Sequence, residues 1–300
     1  MRSRSVALQA DPLYSGDVHV VELAGRTRVV VKGRRVVEVG RPLIRSCPLW
    51  KRRVGVTEFT PDFVKKRVEE VWIGERGVFT EDRSLEPRGE VDFGASEIMM
   101  SAMLSGLLEC SVQVCEGAGT VITDDSKLTQ GIGGKQAGVV YTSPIPKLIE
   151  KLEASGVKVL DPERARIDQV AGVKLARELG FKRIGVTITS LNEAAAIRRL
   201  EEELDVTVAI FAVHLTGARR DEVVKMGEHV DIMTTCASRW AREEVASRAL
   251  IQAGVYIPVL GLTELGKKLI LNRAEKLRRQ VVVHHAALPL LMAEQPDPLI

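Results

Sequence analysis

Asparagine is almost missing from this sequence: it stands only at Asn192 and Asn272, while glutamate, arginine and valine are abundant. Depletion of thermolabile amides together with charge enrichment suits a thermophilic protein. Cysteine is nearly as scarce, with four residues, Cys47, Cys110, Cys115 and Cys236, scattered over 300 positions. That spacing builds no secreted disulfide framework, which leaves reduced thiols, metal ligands or catalytic thiols. No apolar run approaches the ~18 residues that a membrane-spanning helix needs. The charged N-terminus, MRSRSVALQADPLYSG, lacks the sustained apolar stretch of a signal peptide. A cytoplasmic location with no membrane role is expected. Charge of one sign is lacking too: Lys+Arg 43 against Asp+Glu 40 leaves a formal net charge of +3. Duplex nucleic acid is therefore not an expected partner, and the basic runs Lys51–Val54 and Lys276–Gln280 read as solvated faces.

Familiar catalytic signatures are also absent. There is no HExxH, CxxC, CxxxCxxC, GxSxG or EF-hand loop, which removes any motif-based case for a zinc protease, a radical cluster enzyme of the usual type or an α/β-hydrolase. The segment GIGGKQAG has neither the P-loop spacing nor the dinucleotide fingerprint.

What is present is organisation. After a flexible leader over 1–17, His19–Gly40 holds three Val-rich runs broken at Ala24-Gly25 and Lys32-Gly33, the pattern of a small antiparallel β meander. Thr60–Gly74 reads as a helix, with Thr60 as N-cap, Pro61 in the first turn and Gly74 as stop. This N-terminal β/α region is expected to occupy 18–95. From Ser96 helical and strand patterns alternate, through strands CSVQVC, VKVLD, KRIGVTI, VTVAIFAVH, VDIMTTC and VYIPVLGL. The expected class is α/β: a mostly parallel, Rossmann-like sheet with helices on both faces, over 96–280. The tail over 281–300 is expected to be disordered.

An open parallel sheet places its ligand at the carboxyl ends of its strands. Those ends gather Cys115, Glu116, Gly117, Gly119, Thr123 and Asp124 after the first strand, then Thr189, His214 and Thr216, then Cys236 and Ser238. Cys110 and Cys115, five positions apart on one strand, point to opposite faces and lie roughly 16 Å apart. Cys110 reads as a small buried hydrophobe and Cys115 as a site cysteine. Cys236 precedes Ser238, a plausible N-cap whose helix would stabilise a nearby thiolate. His214 stands as a base, a ligand or a hydrogen-bonded core residue. The polar stretch 123–138, with Gly131, Gly133, Gly134 and Lys135, is expected to be a ligand-covering loop able to nest a small anion.

In this order, VVVKGRRVVEVGRPLIRSCPL, CEGAGTVIT with QGIGGKQAG, IGVTI, FAVHLTG and TTCAS resemble the methanogenesis marker protein 8 family of archaea, over roughly residues 18–275. Members of that family occur with methyl-coenzyme M reductase. The resemblance implies an accessory role in that enzyme's maturation or activation, with the enzyme or its activation machinery as partner. With it, Cys47, Cys115 and Cys236 would suit an iron–sulfur cluster, since clusters take thiolates from distant loops. Two further expectations stand beside it. One is a transferase- or lyase-type enzyme with Cys236 as nucleophile, His214 as base and an anionic substrate on the Gly131–Gly134 loop. The other is a docking subunit with an exposed apolar patch. A homo-oligomer is compatible with all three.

Overall fold

A computed structural model describes residues 16–89, 91–135 and 137–300; most of the expected leader, residues 1–15, lies outside the described residues. The meander forms as expected. Strands β1 (Val18–Leu23), β2 (Thr27–Lys32) and β3 (Arg35–Val39) pair antiparallel. At the second turn Gly33 and Arg34 both take positive φ, the backbone of a tight hairpin that follows strand twist.

Helix α1 (Pro48–Val54) has Cys47 at its N-cap position. In α2 (Pro61–Arg67) the Thr60 hydroxyl accepts from the Phe63 N–H, as its sequence predicts. The helix does not stop at Gly74. It widens into π-helical turns over Val68–Glu75, and Gly77, with φ 63°, turns the chain away instead.

The larger sheet has eight strands. Helix α3 (Ala95–Leu104) precedes β4 (Cys110–Cys115) and β5 (Gly119–Thr123), and α4 (Ser126–Gly133) follows them. Strand β6 (Gly138–Thr142) then leaves this sheet and pairs with β1, giving the small sheet the order β3-β2-β1-β6. The small sheet thus takes a strand from beyond residue 96. The chain continues through α5 (Pro146–Ala154), β7 (Lys158–Val159), α6 (Gln169–Glu178), β8 (Arg183–Ile188), α7 (Leu191–Leu204) and β9 (Thr207–Ala212). It closes with α8 (Arg220–Met226), β10 (Ile232–Thr234), β11 (Ile251–Ala253), β12 (Val259–Gly261) and α9 (Glu264–Lys276). The order is β11-β12-β10-β9-β8-β4-β5-β7.

Only β4, β8, β9 and β10 are parallel; both flanks are antiparallel. The sheet is therefore mixed, which corrects the mostly parallel expectation. A parallel neighbour requires a crossover of a dozen or more residues, and the turns at 116–118 and 254–258 are too short for one. Ile251–Ala253 is an edge strand.

Helices cover both faces. Val208 and Ile210 of β9 pack with α6, α7 and α8, while the alternate residues Ala209 and Phe211 pack with α3 and α9. The tail is not featureless either. Ser46 and Asp297 form an antiparallel bridge, and the Ile300 backbone bonds to Ala237 and Arg239.

Candidate functional site

The carboxyl ends of β9 and β10 face the small sheet, and here two unusual backbone conformations sit side by side. His214 has φ 59° and Cys236 has φ 47°, a region that non-glycine residues rarely visit and that clusters at functional sites. These turns aim the backbone N–H groups of His214 and Leu215 at the Cys236 sulfur. Thr216 Oγ1 accepts from the Ala237 N–H (3.1 Å), and Ser238 Oγ from the Ala241 N–H (3.4 Å). Both therefore hold the loop that carries Cys236. The helix expected after Ser238 is irregular, π-helical over Ala241–Val245. Cys47 is the cysteine at a regular helix start, where the Leu49 and Trp50 N–H groups favour its thiolate although neither makes a capping hydrogen bond to the sulfur.

Cys47 and Cys236 lie within electrostatic range of each other and of Arg242. Backbone geometry agrees: Ser46 bonds to Asp297 and Ala237 to Ile300, and the three residue steps between those tail positions span at most about 11 Å. Arg242 is 1% exposed. Its Nε donates to the Cys236 carbonyl (3.1 Å), Nη2 to that carbonyl and to the Tyr256 carbonyl (2.5 and 3.0 Å), and Nη1 to Gln295 Oε1. Every acceptor is neutral. Burial pulls the guanidinium down to about 10, against the support of Cys236 and Cys47. Burial likewise pushes both thiols up, opposed by the N–H groups and Arg242. Cys236 alone among the four cysteines is half-buried; the others are buried. One residue before it, the buried Thr235 hydroxyl has no hydrogen-bond partner among the described residues, at a cost of about 1–3 kcal/mol.

Cys115 belongs to a different neighbourhood. Strands β9 and β8 lie between β10 and β4, so about 14 Å of sheet separates the two strand ends. Cys110 and Cys115 pack in different clusters on opposite faces. Next to Cys115, Glu116 is fully buried between two cations: Arg83 Nε at 3.3 Å from Oε2, and Lys135 Nζ on Oε1. Burial raises the Glu116 carboxyl, but Lys135 and Arg83 outweigh it and hold the pKa below the usual carboxylate range. Arg83 also donates to the Gly131 and Ile132 carbonyls, at 3.2 and 3.0 Å, capping the end of α4.

Half of the stretch 123–138 is helix rather than covering loop. Asp125 caps α4, Thr123 Oγ1 accepts from the Asp125 N–H, and Asp124 is exposed. Gly131 and Gly133 lie inside the helix, where a side chain would meet the Leu85 backbone and the Gln113 side chain. None of Gly131, Gly133 and Gly134 has positive φ, so the expected anion nest is not formed by these glycines. Gly117 and Gly119, at φ 83° and 72°, shape the β4–β5 turn under Ile145 and Ala165. Thr189 donates its N–H to Glu193 in the cap of α7. His214 packs on Gly138, and burial, with Arg26 and Lys135, drives its imidazole down to about 4. It is neutral near pH 7, and it is its backbone that meets Cys236.

Three residues that organise these sites went unnoticed in sequence: Arg83, Arg242 and Gln295. For Arg242 a signal exists. Ser238, Ala241, Arg242 and Val245 form an inward stripe at helical spacing, with an arginine in it.

As to metal, among the described residues no group of three or more His, Cys, Asp or Glu side chains is placed to hold an ion. An iron–sulfur cluster takes four thiolates as a rule. Cys47 and Cys236 could supply two, and Cys115 lies too far across the sheet to add a third.

The family described as an uncharacterized protein conserved in archaea (DUF2099) matches residues 19–275. An uncharacterized protein of Methanocaldococcus jannaschii, MJ0054, is 41% identical over 285 residues, covering 95% of this chain and 100% of that relative.

Proposed function

The chain belongs to the DUF2099 family of archaeal proteins, and from that premise we propose that it is an accessory protein of methanogen metabolism that holds a small anionic ligand against the Cys47–Cys236 thiol pair. Support for the setting comes from the 41% identical relative in a methanogen and from the resemblance to the methanogenesis marker protein 8 family. The same resemblance directs the activity to maturation or activation of methyl-coenzyme M reductase. The observation that carries the ligand class is Arg242, a buried guanidinium surrounded by neutral acceptors and flanked by two thiols. Burying an ion without an opposite charge is costly, and an anion or a thiolate removes that cost. The orphaned Thr235 hydroxyl is an unused buried donor one residue before that cysteine.

An iron–sulfur cluster ligated by thiolates is one anionic ligand of this kind, with Cys47 and Cys236 as two of its holders. As a nucleophile Cys236 would draw on Arg242 and the His214 N–H rather than on the His214 imidazole.

Iron and acid-labile sulfide per chain, on protein purified without oxygen, test the ligand. Stoichiometric metal lost in Cys236→Ser and retained in Cys110→Ser is the cluster outcome; failure of reconstitution eliminates the cluster and leaves the thiol site to a small oxyanion. The role itself is read by complementation in a methanogen lacking the gene. Cys236→Ser is expected to fail where Cys110→Ser succeeds, and full rescue by Cys236→Ser would sink the proposal.

A further inference from the structure

Among the described residues two arginines are buried, Arg83 and Arg242; Arg83, and the half-buried Arg198, have carboxylates. Arg83 faces Glu116, and Arg198 contacts Asp231 at 2.5 Å and Glu201 at 2.7 Å. Arg242, more buried than Arg198, has none among the described residues; it faces two backbone carbonyls and one carboxamide. The carbonyls belong to the walls of the site. The carboxamide is different, because Gln295 arrives on the tail, beyond the last helix.

That tail is fastened around the thiol pair. Its bridge at Asp297 is to Ser46, next to Cys47, and its Ile300 backbone bonds to Ala237, next to Cys236. The ion pairs that help it, Arg45–Asp297 and Lys51–Glu294, are exposed, and exposed pairs contribute about 0–1 kcal/mol each. Between α9 and Gln295 there is no regular element. Release of Gln295 is therefore a local event that leaves both sheets intact.

We infer that Arg242 is the carboxylate receptor of the thiol site, and that the Gln295 carboxamide holds the place of a ligand carboxylate on Nη1. This rests on the thiol-site proposal above and extends it by naming the ligand: a small carboxylate whose reactive carbon or soft atom lies at Cys236. A carboxylate oxygen supplies what Oε1 supplies, an acceptor, and adds the missing charge; hydrogen bonds of that kind are stronger and shorter than neutral ones.

Iodoacetate and iodoacetamide are the probes. They share their size, reactive carbon and leaving group, and differ in carrying a carboxylate or a carboxamide. In each the Cys236 sulfur bonds to the methylene carbon, iodide leaves with the electron pair, and the thiol proton passes to buffer. Iodoacetate is expected to modify Cys236 about tenfold faster than iodoacetamide, in line with the gain of a charged over a neutral hydrogen bond. Acetate should slow iodoacetate and leave iodoacetamide unaffected. Gln295→Ala should speed iodoacetate several-fold, and Arg242→Gln should abolish the preference. Equal or slower labelling by iodoacetate in the unaltered protein, or no protection by acetate, overturns the inference even where Arg242→Gln does not fold. Labelling by both reagents without preference removes only the receptor role. Failure of both to reach Cys236 in the folded protein removes the thiol site as well.

Discussion

Among single residues, burial dominates the thiols. Cys47, Cys115 and Cys236 are all pushed above the ordinary thiol range, chiefly by desolvation. Thiolate chemistry at Cys236 should accordingly be slow at neutral pH and keep rising as pH passes the usual thiol range, which mass spectrometry of iodoacetamide-labelled protein measures directly. Cys236 is expected to label first, and Cys110 and Cys115 last, because it alone is half-buried. A pH-independent rate, or Cys115 labelled ahead of Cys236, would count against the assigned site. Glu116 makes the opposite case, a buried charge kept ionised by its partners. Its depressed pKa adds stability above the usual carboxylate range, lost as pH falls through the folded value. Glu116→Gln strands Arg83 and Lys135 together and is expected to lower stability by about 3–5 kcal/mol. Denaturant unfolding would show the loss, and Lys135→Met in the same chain should restore part of it.

Elements were legible in sequence wherever a cap and a period agreed. Thr60 accepts from the first turn of its helix as expected, Asp168, Ser190 and Thr263 do the same for helices read from their period alone, and β4, β8 and β9 begin and end close to their apolar runs. Their direction in the sheet was less legible. β5 lies inside CEGAGTVIT, which reads as a turn in sequence, and its hairpin with β4 makes that flank antiparallel. That Cys236 and His214 stand at strand ends follows from periodicity; that their strands are neighbours is set by the sheet order, which periodicity does not give. Cys47 joins them through tertiary packing that no local pattern encodes, the stripe around Arg242 shows only that this arginine turns inward, and the positive φ of Cys236 runs against its residue type. At Gly74 the local signal was present and was overridden: the widened turns bury Trp72 and Ile73 against the small sheet, and that packing carries the helix past the glycine.

At the scale of the whole molecule, the weakest stretch among the described residues joins α9 to the docked tail. Val282 and Val283 are more than four-fifths exposed, and residues 277–293 contain no helix or strand. Limited proteolysis is expected to cut there first, at a rate that rises with salt as the exposed pairs holding 294–300 are screened. First cleavage inside either sheet would contradict this. The small sheet carries a different consequence, one of timing. β1 is flanked by β2 on one side and by β6 on the other, and its His19 bonds to Thr142, 123 residues further along the chain. During synthesis the meander emerges long before β6 exists, at about 5–20 residues per second. For those seconds β1 offers an open valine edge to any other nascent chain, and the ribosome releases its danger only when residue 142 is made.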